Sequence, residues 1–98
     1  LSVKFSTNGK YLIAAGAAGR IQFWDPLKGT PFLYRYYFGP GAWLDLMPDG
    51  RFNASPEGTR YLRYTELGTF NSYPAQDLID EFYQPGAVKA VLLGYMKD

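Results

Sequence analysis

Residues 3–11 read Val-Lys-Phe-Ser-Thr-Asn-Gly-Lys-Tyr, and residues 44–52 read Leu-Asp-Leu-Met-Pro-Asp-Gly-Arg-Phe. Both stretches run from an alternating apolar–polar–apolar segment, through a turn that ends in glycine, to a basic residue and then an aromatic one. Alternation indicates a strand with one buried face, and Asn-Gly or Asp-Gly between two such segments indicates a β-hairpin. The sequence therefore repeats a hairpin at a spacing of about 40 residues, which is the period of a four-stranded propeller blade.

Further strand signals surround this repeat. Apolar segments bounded by turn residues predict four strands in the first half, at 2–6, 11–15, 20–25 and 31–38. The same signals predict three strands in the second half, at 42–47, 51–54 and 60–64. The sequence Gly39-Pro40-Gly41 separates the two sets, and residues 55–58 read as a turn. The pattern predicts a mainly β fold of about seven antiparallel strands, in propeller-blade-like units that span 1–40 and 41–66.

The pattern changes after these strands. Residues 67–73 follow neither period and indicate a loop. Apolar residues from 78 onward recur at helical spacing, and Pro74 suits the first position of a helix. Pro85-Gly86 interrupts the helical pattern before a second helical stretch. We therefore expect an α-helical cap over 74–95 that covers the apolar face of the sheet, within a single domain of 98 residues.

The first unit resembles a WD repeat. Residues 3–25 contain an apolar strand, Ser-x-x-Gly-Lys, a small apolar strand and Gly-x-Ile-x-Phe-Trp-Asp, so that Trp24-Asp25 stands where the signature pair of the family belongs. Ala18 replaces the acidic residue that the family has in the preceding turn, and a chain without histidine lacks the family's Gly-His pair. The resemblance implies a β-propeller that is stabilised mainly by packing.

The rest of the chain resembles the closing segment of bacterial WD-repeat proteins. The resemblance rests on an ordered set of motifs: Trp43, Pro48-Asp49-Gly50, Ser55-Pro56-Glu57-Gly58, Tyr61-Leu62-Arg63-Tyr64 and Phe82-Tyr83-Gln84-Pro85. Such proteins act as scaffolds, which implies a protein-interaction module with a protein partner. Because the chain starts at Leu1 directly in a strand-like segment, we expect it to be the terminal part of a longer protein. Since about three repeats are normally needed for stability, it is either a compact rearranged domain or a fragment that self-associates.

Composition argues against catalysis and metal binding. The chain has neither histidine nor cysteine, so the commonest general base, the commonest metal ligand and the thiol nucleophile are all missing. Residues 45–50 begin like a calcium loop, but Met47 and Pro56 stand at positions that need oxygen ligands. We therefore expect no catalytic residue, no metal ion and no cofactor.

Charge and hydropathy limit the partners. Ten Lys and Arg against nine Asp and Glu give a net charge of +1, which offers no general attraction for nucleic acid. The longest apolar run, at 87–95, is too short to span a bilayer. We expect binding to neither nucleic acid nor membrane, and a cytoplasmic location.

The strand at 31–38 carries the candidate interaction surface, namely Tyr34, Arg35, Tyr36 and Tyr37. Alternation predicts that the aromatic residues at 32, 34, 36 and 38 share one face. Half-buried tyrosines suit a protein contact, whereas exposed rings beside an arginine stack on sugars or bases. Protein interaction is thus the predicted function, and the alternative is a ligand-binding module for glycans or nucleotides. We also expect Trp24 and Trp43 to be largely buried.

Overall fold

One antiparallel sheet forms the larger part of the protein. The computed structural model describes residues 2–16 and 19–97, so that Ala18, singled out above, lies outside the described residues. The strands of the sheet follow one another in chain order: β1 (Ser2–Phe5), β2 (Leu12–Ala15), β3 (Arg20–Asp25), β4 (Thr30–Gly39), β5 (Ala42–Leu46) and β6 (Phe52–Ala54). Each strand pairs antiparallel with the next, so the sheet is built from contacts that are local in sequence.

The C-terminal part adds a small hairpin and several helices. Its elements are α1 (Pro56–Thr59), β7 (Arg63–Thr65), β8 (Ser72–Pro74), a 3₁₀ helix (Ala75–Leu78), α2 (Ile79–Phe82) and α3 (Pro85–Met96). Strands β7 and β8 pair with each other as a separate two-stranded sheet.

The C-terminal part covers the two faces of the large sheet one after the other. On the back face, β7, the 3₁₀ helix and α2 pack in a core cluster whose buried residues are Leu44, Phe52, Ala54, Leu62 and Ala75. At Tyr83 the chain runs beside β6, and the Gln84 N–H donates a hydrogen bond of 2.9 Å to the Phe52 carbonyl. On the front face, α3 then contributes Val88 to a core with Phe23, Leu33 and Met47. The sheet is therefore sandwiched at its β4–β6 end.

The expected mainly β fold with antiparallel sheets is confirmed. The described residues form no closed barrel or propeller. Around the boundary expected near residue 40 the sheet is continuous, because Gly39 pairs with Ala42 and joins β4 to β5 in one hairpin. The strands expected in two separate units thus lie side by side in one sheet, apart from β7.

Two expectations about the region 55–73 are wrong. The turn expected at 55–58 is the helix α1, because Ser55 caps it and Pro56 occupies its first position. The loop expected at 67–73 is found at 67–71 but ends there, because Ser72–Pro74 form β8, whose partner β7 begins at Arg63 and not at residue 60. Strands β7 and β8 have only three residues each, which is too few for the alternation of apolar and polar residues to define their bounds.

The helical cap also differs from the expectation in detail. A 3₁₀ helix and one turn of α-helix occupy 75–82, and Pro85 begins α3 instead of interrupting a helix. Trp24 and Trp43 are both half-buried rather than largely buried, because each lies on a part of the sheet face that the C-terminal part leaves open.

Close packing between α1 and β5 explains why glycine stands at position 58. The Ser55 hydroxyl accepts hydrogen bonds of 3.0 Å from the N–H groups of Gly58 and Trp43. This arrangement draws α1 onto the β5 backbone. A Cβ atom at position 58 would lie 1.9 Å from the Trp43 carbonyl oxygen, which no side chain tolerates. The Ser-Pro-x-Gly motif is thus a docking element between a helix turn and a strand.

The substitution Gly58→Ala should therefore destabilise the protein strongly, by about 3 kcal/mol, because backbone atoms on both sides must move. Gly94→Ala is the matched control, since Gly94 lies in α3 with no atom within 4 Å of its added Cβ. We expect the control to be neutral or to stabilise by about 0.5 to 1 kcal/mol. Urea denaturation followed by circular dichroism measures both changes, and equal effects at the two glycines would contradict the packing argument.

A hydrogen bond between Asp25 and Tyr95 holds α3 to the end of β3. The Tyr95 hydroxyl donates to one Asp25 carboxylate oxygen at 2.5 Å, and the other oxygen accepts from the N–H groups of Leu27 and Lys28 at 2.9 Å. These hydrogen bonds, led by that from Tyr95, lower the pKa of Asp25. Burial, followed by the bond to Asp25, raises the pKa of Tyr95 from 10.0 to about 12. The aspartate of the Trp24-Asp25 pair thus closes a turn and anchors a helix.

The stability of the protein should decrease in alkaline solution through Tyr95. Because the folded state holds this proton to higher pH than the unfolded chain, the stabilisation is complete below pH 10.0 and is lost as the pH rises towards about 12. The melting temperature of Tyr95→Phe should be lower than that of the wild type at neutral pH. Between pH 10.0 and about 12 it should fall less than the melting temperature of the wild type does. Thermal melts at closely spaced pH values test this, and identical alkaline profiles for both proteins would refute it.

Candidate interaction site

The four residues of the predicted interaction surface do not lie together. Alternation along β4 places Tyr34 and Tyr36 on the back face, where they pair with Leu46 and Leu44. Arg35 and Tyr37 lie on the front face, where they pair with Asp45 and Trp43.

The expectation that residues 32, 34, 36 and 38 share one face is wrong for Phe32. A register shift between β3 and β4, at Phe23 and Trp24, turns Phe32 to the front face. There its ring stacks on that of Tyr95, with 3.8 Å between centroids. Phe38 stays on the back face and stacks on Tyr61 at 4.0 Å. The bulge thus supplies α3 with an aromatic contact and removes one ring from the predicted row.

On the front face a buried carboxylate holds Arg35 in a fixed position. Asp45, which is only 5% exposed, accepts hydrogen bonds of 2.7 Å and 2.9 Å from the Arg35 Nε and Nη2 atoms. The guanidinium carbon also lies 5.2 Å from the ring centroid of Phe23, within the range of a cation–π contact. The hydrogen bonds that Arg35 donates to Asp45 are the main cause that raises the pKa of Arg35. The arginine is therefore permanently charged and held by two neighbours.

Two aromatic side chains lie next to this ion pair. Tyr37 is 51% exposed and faces the half-buried Trp43 across the β4–β5 hairpin. Together with Arg35 and Asp45 they line a shallow cleft of about 310 Å³. We call these four residues, Arg35, Tyr37, Trp43 and Asp45, the front patch.

Neighbouring elements position the front patch through backbone hydrogen bonds. The Tyr37 N–H donates to the Gly19 carbonyl at 2.9 Å, and Gly19 has φ +71°, which favours glycine. The Trp43 carbonyl accepts from the Ser55 N–H at 3.1 Å, in addition to the capping contacts described above. Both aromatic residues therefore stand on a rigid backbone, which limits the entropy that they lose on binding.

The sequence did not reveal Trp43 and Asp45 as members of the site. The sequence did contain a signal for them, because the Gly39-Pro40-Gly41 turn makes β4 and β5 neighbours and pairs their odd-numbered residues.

A second cleft, of about 440 Å³, lies at the C-terminal end of α3 and is lined by Lys10, Asp25 and Tyr95 among others. Its carboxylate is fully occupied by the turn and by Tyr95.

The carboxylate of the front patch is already engaged. Both oxygens of Asp45 accept hydrogen bonds from Arg35. Within residues 2–16 and 19–97 no three His, Cys, Asp or Glu residues form a group that could hold a metal ion. Nor does this part of the chain contain a helix that is long and apolar enough to cross a membrane.

Comparison of the chain with protein-family models, with curated proteins and with solved structures gave no match.

The ion pair of the front patch should stabilise the fold measurably. In a double-mutant cycle with Arg35→Ala and Asp45→Ala we expect a coupling free energy of about 1 to 2 kcal/mol, because both charges are partly desolvated and doubly hydrogen-bonded. The pair of Arg51 and Asp49 is the matched control, since its side chains are 37% and 51% exposed at a similar N–O distance of 2.8 Å. Its coupling should be below about 0.5 kcal/mol. Urea denaturation of the two cycles gives both values, and equal couplings would show that burial contributes nothing to the first.

Proposed function

We propose that this chain is a non-catalytic protein-interaction module, the terminal part of a WD-repeat β-propeller protein, and that the front patch is its binding surface. The observation that carries the proposal is the exposed Tyr37 beside Trp43 and an arginine that is already fixed by Asp45 and Phe23. Tryptophan, tyrosine and arginine are the residues that contribute most to binding at protein interfaces.

The cleft geometry supports a protein partner. The guanidinium of Arg35 offers hydrogen-bond donors, and the rings of Tyr37 and Trp43 offer two apolar surfaces. Because the guanidinium is already fixed, it loses little conformational freedom when a partner binds. The partner that suits this patch presents an apolar side chain to Tyr37 and Trp43 and a carbonyl or carboxylate oxygen to Arg35. The patch lies on the sheet beside α3, where no described residue covers Tyr37.

The propeller part of the proposal rests on the shape of the first four strands. They form an antiparallel meander whose third strand ends in Trp24-Asp25, as the third strand of a WD repeat does. Asp25 closes the turn to β4 by accepting hydrogen bonds from two backbone N–H groups. It can do so without the histidine and the turn aspartate that WD repeats have and this chain lacks.

A second candidate function is the binding of glycans or nucleotides by the aromatic strand. The observation in its favour is that Tyr37 and Trp43 are cross-strand neighbours in a shallow cleft that also contains Arg35, so that a sugar ring or a base can stack there. Against it, Tyr34 and Tyr36 lie on the other face, and only two rings remain for the ligand.

The test is a quantitative affinity capture from lysate of cells that naturally produce the protein, with the whole chain as bait. A captured protein should bind the double variant Tyr37→Ala/Trp43→Ala at least about 30-fold more weakly, since loss of a central aromatic contact costs about 2 kcal/mol or more. The matched control is Phe70→Ala/Tyr73→Ala, which removes two exposed aromatic rings from the β7–β8 hairpin. Partners that bind both variants equally well would contradict the proposal. Tryptophan fluorescence titrations with oligosaccharides and nucleotides test the second candidate.

A further inference from the structure

The side chains of the front patch offer mainly hydrogen-bond donors. The Arg35 guanidinium has five N–H groups, of which Asp45 takes two, and the Trp43 indole has one N–H and no acceptor. Both oxygens of Asp45, the one carboxylate in the lining of the cleft, already accept from Arg35. A ligand that suits the patch therefore presents hydrogen-bond acceptors and has few donors of its own to satisfy.

The lining of the patch is also neutral overall. Arg35 and Asp45 are its two ionised side chains, and their charges cancel. An anion that approaches the guanidinium is repelled by the Asp45 carboxylate beside it, so that a phosphate or carboxylate loses part of its attraction. A carbonyl oxygen accepts from the same N–H groups without this repulsion. The chemistry of the patch thus favours an uncharged acceptor.

The two rings of the patch rise from the sheet at the closer of the two cross-strand spacings. The Tyr37 N–H donates to Gly19 on one side, and the Trp43 carbonyl accepts from Ser55 on the other, so Tyr37 and Trp43 do not hydrogen-bond to each other. In such pairs the Cα atoms are about 4.5 Å apart and the side chains are closest. Two aromatic rings therefore stand side by side on a rigid backbone, where they can hold a small apolar ring.

We propose that the occupant of the front patch is a proline-rich segment in the polyproline II conformation, an inference that rests on the front patch being the binding surface of the protein. Such a segment has solvated backbone carbonyls, no N–H group at its prolines, no charge and apolar rings that pack on aromatic side chains. It is complementary to the patch in hydrogen bonding, in charge and in shape. Its conformation exists before binding, which limits the entropy loss at a shallow cleft.

The length scale of the patch matches this conformation. Arg35 and Tyr37 are two positions apart on one face of β4, which corresponds to about 6.6 Å. Residues two positions apart in polyproline II are separated by about 6.2 Å along its axis. A segment that lies along β4 with one proline ring at Tyr37 and Trp43 therefore brings the carbonyl two residues away to Arg35.

Titration with decaproline, capped at both ends so that it carries no charge, tests the proposal by NMR. The chain has two tryptophans, so its indole N–H groups give two cross-peaks in a heteronuclear correlation spectrum, and Trp43→Phe assigns them. Decaproline should shift the Trp43 cross-peak with a dissociation constant of about 0.1 to 1 mM, the weak range of a short contact. The Trp24 cross-peak is the internal control and should stay in place, because Trp24 lies on the opposite face and donates to Gln22.

The variant Tyr37→Ala should weaken the binding of decaproline at least about 10-fold, because it removes one of the two rings. Circular dichroism melts should show this variant folded, since Tyr37 is 51% exposed. The matched control Phe70→Ala/Tyr73→Ala, which removes exposed rings from the β7–β8 hairpin, should bind decaproline as the wild type does. A Gly-Ser repeat of the same length, uncharged but flexible, is the control ligand and should not bind.

The proposal is overturned if decaproline at about 5 mM shifts neither cross-peak, shifts both equally, or binds Tyr37→Ala as well as the wild type. Tighter binding of decaglutamate or of cellohexaose, titrated in the same way, would equally overturn it in favour of an acidic peptide or a glycan. The titration uses purified components, so its failure leaves the affinity capture intact. A captured partner that binds Tyr37→Ala/Trp43→Ala normally contradicts the proposed function without reference to decaproline.

Discussion

The course of the C-terminal part is set by the edge of β6. Phe52 is fully buried on the back face, while its carbonyl, in the plane of the sheet, accepts the hydrogen bond from the Gln84 N–H. This bond occupies one backbone acceptor of an edge strand and makes the chain cross from one face to the other at that point. Because Pro85 follows directly, α3 begins as soon as the crossing is complete. In this way fewer than fifty residues cover both faces of the sheet at its β4–β6 end.

The sequence predicted the strands of the large sheet well, because alternation and Gly-containing turns are local properties. The hairpin at Asn8-Gly9 and the turn at Gly39-Pro40-Gly41 lie where the pattern places them. The prediction of residues 55–73 was poorer, since α1 depends on the contact of Gly58 with the Trp43 backbone and β8 exists only as the partner of β7. Such features come from tertiary contacts, which a local pattern does not contain.

The candidate site was half predicted for a related reason. Arg35 and Tyr37 were identified, but the bulge that turns Phe32 and the register that adds Trp43 and Asp45 are properties of strand pairs. The front patch thus combines charge, hydrogen bonds and aromatic rings that come from two paired strands, a combination that neither strand shows alone.

The hairpin turn of β1 and β2 holds the far end of α3. The Asn8 amide donates to the Tyr95 carbonyl at 3.0 Å, and the Lys10 ammonium donates to the Lys97 carbonyl, so positive charge lies at the end of the helix where it is favoured. Each of these contacts joins residues 87 positions apart, whereas the strands of the sheet pair with their neighbours in sequence. Closing so long a loop carries a large entropy loss, and a helix of 12 residues has little stability alone. We therefore expect the meander to form early in folding and α3 to dock late, onto the first hairpin. In local unfolding we expect the last helix to detach from the first hairpin as one unit.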